Sequence, residues 1–123
     1  MASIELDVKN FDQVVGANET VVVDFWAPWC GPCRAFAPVF EAASSQHPDV
    51  VFAKVNTDVE QDLAAHFHIR SIPTLMIFRQ QVVLFSQAGA MSGKALDDVL
   101  AQVKALDMTE VQRQIAEQQA QQQ

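Results

Sequence analysis

A chain of 123 residues, half of them apolar, is long enough to enclose one hydrophobic core unaided and too short to call for a second. Fifteen acidic residues against eight basic ones give a formal charge of −7, which opposes attraction to the phosphates of nucleic acid or to anionic lipid. No stretch approaches the roughly 20 apolar residues that span a bilayer. The opening MASIELDVKNFD carries neither a basic leader nor an apolar h-region, so the chain reads as cytoplasmic, with no nucleic acid and no membrane among its partners.

Taken in order, the chain alternates strand-like and helix-like segments. A short strand near Ile4 to Asp7 and a helix capped by Asn10 or Asp12 open it. Residues 20–27, TVVVDFWA, are β-branched and aromatic, as in a strand covered on both faces, and Asp24 interrupts that run. After prolines 28 and 32 a helix places Phe36, Val39, Phe40 and Ala43 on one face and runs to about Gln46, with Pro38 expected to bend it. Residues 50–56 form a second buried strand, followed by a helix with Asp58 as cap and Val59, Leu63 and Phe67 as its stripe. That completes a βαβ unit.

The rest has another rhythm. Residues 74–79 and 82–87 are strand-like and only two residues apart, which predicts an antiparallel hairpin, although Gln80 and Gln81 lack the glycine or asparagine of tight turns. Ser92 then caps a helix with Leu96, Val99, Leu100, Val103 and Leu106 on its apolar face. The order βαβαβαββα implies an α/β fold, a mixed sheet with helices on both faces.

Two cysteines are too few for a secreted disulfide framework, and in a cytoplasmic chain such a pair serves catalysis or metal binding. Zinc needs further ligands, and the candidates are His47, His66 and His68, the last two with one residue between them instead of the usual three to five. In WCGPC, Cys30 falls at a helix N-terminus, where free backbone donors and the helix dipole favour its thiolate. Pro32 suits an early helical position, and Cys33 follows one turn later. Cys30 can therefore form a mixed disulfide that Cys33 displaces. No bound cofactor is required.

The segments VVVDFWAPWCGPCRAFAPVF, AKVNTD, IRSIPTLMIF and AGAMS together resemble thioredoxin in order and spacing from about residue 3 to residue 106. The resemblance implies a central mixed sheet flanked by helices, with Cys30 the exposed nucleophile and Cys33 the buried resolving thiol. It also implies reduction of protein disulfides, with re-reduction by an NADPH-dependent thioredoxin reductase. Asp24 matches the family's buried carboxylate, and its place in an apolar strand independently predicts a raised pKa. Lys54 matches the family's lysine near that carboxylate. Pro73 matches a proline whose preceding bond is cis and which faces the cysteines. Ile72, Pro73 and Thr74 would offer a backbone edge to an extended substrate, and Gly89 would line the same groove. Trp29, Gly31 and Pro32 would complete the substrate surface, with Trp26 supporting the loop. Arg34 stands where the family often has lysine and adds a favourable charge.

The chain departs from the family at its end. Residues 1–106 read as the family's domain, and residues 107–123, with seven glutamines, as a polar extension, helical or disordered. Thr109 with Gln112 resembles a capping box, and Met108, Val111 and Ile115 make a thin apolar stripe. Two other functions fit the scaffold: a binding module or holdase in which redox chemistry is incidental, and an oxidase or isomerase running the same chemistry in another direction.

Overall fold

The computed structural model describes residues 3–122. The elements are β1 (Ser3–Glu5), α1 (Phe11–Ala17), β2 (Thr20–Trp26), α2 (Gly31–Gln46), β3 (Val51–Asn56), α3 (Gln61–His66), β4 (Thr74–Arg79), β5 (Val82–Ala88), α4 (Gly93–Ala105) and α5 (Met108–Gln121). One sheet has the order β1-β3-β2-β4-β5. Strands β1, β3 and β2 run parallel, β4 is antiparallel to β2, and β5 is antiparallel to β4. The expected mixed sheet is present.

Strand β2 lies at the centre because its β-branched and aromatic residues suit burial on two faces, and Thr20 to Phe25 are all buried. Alternation along it splits the core. Val21, Val23 and Phe25 pack with Phe11, Val14 and Phe67 on one face, whereas Val22 packs with Phe36, Phe40, Leu96 and Leu100 on the other. Asp24 has the parity of Val22 and so points toward the α2 side. Because β1, β3 and β2 run parallel, their C-terminal ends share one end of the sheet, which gathers the loops after Glu5, Asn56 and Trp26 there.

The hairpin forms without glycine. Gln80 and Gln81 take φ of 52° and 67°, the backbone of a type I′ turn, and Arg79 pairs directly with Val82. Ser92 caps α4 as expected, accepting from the Ala95 amide at 3.1 Å. Helix α2 continues unbroken through Pro38.

Several boundaries differ from expectation. The first strand ends at Glu5, and Asp7 instead accepts from the amides of Lys9 and Asn10. Asn10 occupies the N-cap of α1 without a capping side-chain bond, and Asp12 lies inside the first turn. Asp58 does not cap α3, whose N-cap is Glu60; its carboxylate is engaged elsewhere, and Val59 is exposed outside the helix. Leu106 leaves the apolar face because the chain turns extended there, at ψ 141°. The extension is helical, with Asp107 as its N-cap, accepting from the Glu110 amide at 3.2 Å, so Thr109 lies within the helix. Met108 is buried, and the Arg79 guanidinium donates to the carbonyls of Val103, Lys104 and Leu106 at the α4–α5 junction.

Candidate active site

Beyond Trp26 the chain leaves β2 through Ala27, Pro28 and Trp29 and enters α2 at Cys30. Cys30 is the N-cap, in an extended conformation, with Pro32 in the first turn where a missing N–H costs nothing. The Cys33 amide donates to Cys30 Sγ at 3.2 Å. The two sulfurs form a disulfide, with Cα atoms 5.2 Å apart. On reduction, that amide and the dipole of a 16-residue helix favour the Cys30 thiolate. Accessibility does not separate the pair: Cys30 is 4% and Cys33 2% exposed. The expectation of an exposed Cys30 is corrected for this oxidised form, because Ala27, Trp26 and Ile72 pack around both sulfurs.

Ile72 presents its carbonyl oxygen 3.8 Å from Cys30 Sγ. The Ile72–Pro73 bond is cis, and Thr74, the first residue of β4, ties the bend by donating its hydroxyl to the Ser71 carbonyl at 2.6 Å. The Gly89 amide donates to the Pro73 carbonyl at 2.7 Å. Gly89 holds φ 99°, a conformation that only glycine adopts without strain. Ile72, Pro73, Thr74 and Gly89 are thus brought together beside Cys30. On the other side Trp29 is 67% exposed, held by its indole N–H donating to Asp58 Oδ1 at 3.1 Å. Gly31 and Pro32 are exposed between the cysteines. Arg34 Nη1 donates to the Pro28 carbonyl at 3.0 Å, which fastens the loop as well as adding charge.

Asp24, inside β2, is 1% exposed, with neither oxygen bonded to protein. Burial pushes its pKa to about 7; Lys54 opposes the rise, and Glu5 and Glu41 add to it. The register explains this group: Glu5, Lys54 and Asp24 are cross-strand neighbours in one row over β1, β3 and β2. Lys54 makes no ion pair among the described residues, and its Nζ sits 4.6 Å from the Trp26 ring centroid. Trp26, two residues beyond Asp24 on the same face, packs against the cysteines. Glu41 on α2 accepts from the Ser3 hydroxyl and has its other oxygen buried without a partner. The Glu5 pKa is raised too, by burial against the pull of Lys54, with Glu41 adding to the rise.

Glu5, Glu41 and Asp58 were not singled out for these places by sequence. The available signal was topological: an acid following β3 shares an end with the loop following β2. The histidines are dispersed in role. His47 bonds Asp97 at 2.9 Å, His66 stands edge-on to Phe67, and His68 takes φ 56° beyond α3.

A helix N-terminal CxxC disulfide, faced by the carbonyl of an X-Pro segment at the end of a mixed sheet, defines a dithiol–disulfide exchange protein. The family described as Thioredoxin matches residues 2–105, and the chain belongs to it. The chain is 54% identical over 120 residues to a protein of Streptomyces coelicolor that bears the name thioredoxin 2, covering 98% of this chain and 90% of that one. A mutant thioredoxin from Halobacterium salinarum superposes with a TM-score of 0.80 at 31% identity, over 85% of this chain and 93% of its own. Plasmodium falciparum thioredoxin gives 0.75 at 32% identity, over 81% and 97%. The protein is a thiol–disulfide oxidoreductase that reduces protein disulfides through its Cys30–Cys33 pair. Among the described residues no helix is long and apolar enough to cross a membrane.

Proposed function

We propose that Cys30 is the attacking thiolate and Cys33 the resolving thiol of a cytoplasmic reductant. The observation that carries this reading is the Cys33 amide aimed at Cys30 Sγ from the first turn of α2. Cys30 attacks one sulfur of a substrate disulfide, breaking that bond and releasing one substrate thiolate. Cys33 then gives up its proton and attacks the Cys30 sulfur, releasing the second thiolate and leaving the Cys30–Cys33 disulfide. The substrate gains two electrons. Asp24, with a pKa near 7, takes the Cys33 proton, and Lys54 steadies the carboxylate that results.

Ile72, Pro73 and Thr74 supply a backbone edge for an extended substrate segment, with Gly89, Gly31 and Pro32 as its close neighbours and Trp29 as its apolar lip. Two electrons return from an NADPH-dependent thioredoxin reductase, which makes the chain an electron carrier between that donor and protein disulfides. Residues 1–106 form the catalytic domain, and residues 107–123 are an appended extension, carrying α5, outside the chemistry. The test has two arms: the equilibrium of the dithiol with glutathione, and NADPH oxidation in the presence of a thioredoxin reductase and a protein disulfide. A strongly reducing equilibrium and reductase-dependent turnover are expected. A poise as oxidising as that of a disulfide-forming catalyst, or no turnover with the reductase, would overturn the reading.

A further inference from the structure

Three of the large apolar side chains stand well out of the surface: Val59 at 70%, Trp29 at 67% and Val8 at 60%, against 42% or less for the other exposed ones among the described residues. Their positions follow from topology. Trp29 lies in the loop after β2, Val59 in the loop after β3 and Val8 in the loop after β1. With the three strands parallel and in the order β1-β3-β2, these loops succeed one another along one end of the sheet. Trp29, Val59 and Val8 therefore form a line leading away from Cys30, on the side opposite Pro73 and β4. Two contacts close the line: Trp29 bonds Asp58, the residue before Val59, and Val8 and Val59 border one shallow groove of about 350 Å³ with Glu60, Gln61 and Asp62.

The charge along this line has one dominant sign. The two outer loops and the start of α3 carry Asp7, Asp58, Glu60 and Asp62 against Lys9 alone. Asp7 is turned onto backbone amides, and Asp58 takes the Trp29 indole, which leaves Glu60 and Asp62 flanking the valines. Exposed valines with acids beside them favour an apolar segment with cationic neighbours.

We propose that Val59, Val8, Glu60 and Asp62 form a second docking flank for disulfide-bearing protein substrates, which binds a segment combining an apolar residue with lysine or arginine. The proposal rests on the reading that substrates dock at Cys30. It places the flank opposite the Pro73 edge, so that a substrate straddles the cysteine. Two strand spacings of roughly 4.8 Å separate the ends of β2 and β1, so a few extended residues beside the substrate cysteine cover the line. The flank adds selectivity among protein substrates and contributes nothing to a disulfide too small to reach it.

Two synthetic peptides test this, each with the same internal disulfide and a short tail, leucine and lysines in one and serine and glutamates in the other. A small aromatic disulfide without a tail serves as the third substrate. The parent is expected to show a kcat/KM about tenfold higher for the leucine–lysine peptide, with the preference shrinking as salt is added. Val8→Ser with Val59→Ser should remove most of it. Glu60→Lys with Asp62→Lys should remove its salt-dependent part, and all proteins should reduce the aromatic disulfide alike. Equal rates for the two peptides in the parent, or an equal loss on the aromatic disulfide in the variants, would overturn the flank. A parent that leaves the aromatic disulfide unreduced would instead overturn the reading of Cys30.

Discussion

Asp24 shows how one residue can be both legible and incompletely legible. An aspartate inside VVVDFW is flanked by residues that seek burial on both faces, so its desolvation follows from the string itself. Its two carboxylate neighbours do not. Glu5 reaches it only because β3 lies between β1 and β2 in matching register, and Glu41 only because α2 packs over that face. The raised pKa fixes the sign of a pH effect. From 3.8 up to about 7 the folded protein holds a proton that the unfolded chain has released, so stability falls as pH rises through this window. At about 1.4 kcal/mol per unit the penalty is on the order of 4 kcal/mol above it. Asp24→Asn should therefore be more stable than the parent above neutral pH and gain little in acid, as denaturant melts at several pH values will read. The same substitution removes the acceptor proposed for the Cys33 proton. Single-turnover reduction should slow by up to roughly 100-fold near neutral pH and recover in alkali, where hydroxide replaces the base. Equal rates and equal stability would show that Asp24 has no such role.

Elements were legible where a periodic pattern and its cap agreed, as at Ser92 and α4. They were misread where a competing side-chain bond took the cap away. Asp58 looked like the cap of α3, but Trp29 claims its carboxylate and Glu60 occupies the N-cap position. The hairpin is the opposite case, since its two-residue spacing identified it despite unfavourable turn residues. Gln81, at φ 67°, carries the cost of a left-handed backbone. Gln81→Gly should raise stability by about 1 kcal/mol in urea melts, and a loss would contradict the type I′ assignment. In α5, only Met108 is deeply buried, while Val111 and Ile115 are half-buried. Removal of residues 109–123 should leave reduction of a small disulfide unchanged and lower the melting temperature slightly. Met108→Ala should cost about 2 kcal/mol, because a buried side chain then leaves a cavity. A large effect of the truncation on turnover would bring α5 into the chemistry.

At the scale of the molecule, the order β1-β3-β2-β4-β5 organises the functional end. It places the helix that presents Cys30 between the Ile72–Thr74 edge and the Trp29–Val59–Val8 line, and sets the Glu5–Lys54–Asp24 row below. Alternating periods were enough to predict a mixed sheet but not the order of its strands, so contacts between neighbouring strands were hidden from residue patterns alone. The net charge of −7 agrees with partners that offer cations, and with the acidic flank beside Cys30. The account stands on an asymmetry between two cysteines that the oxidised structure buries almost equally. The direct test is to present Cys33→Ser and Cys30→Ser, each fully reduced, with one disulfide-containing protein and to map the covalent adduct by mass spectrometry. The account predicts a stable mixed disulfide through Cys30 in Cys33→Ser and little adduct in Cys30→Ser; abundant adduct through Cys33 in Cys30→Ser, with none through Cys30, would contradict it.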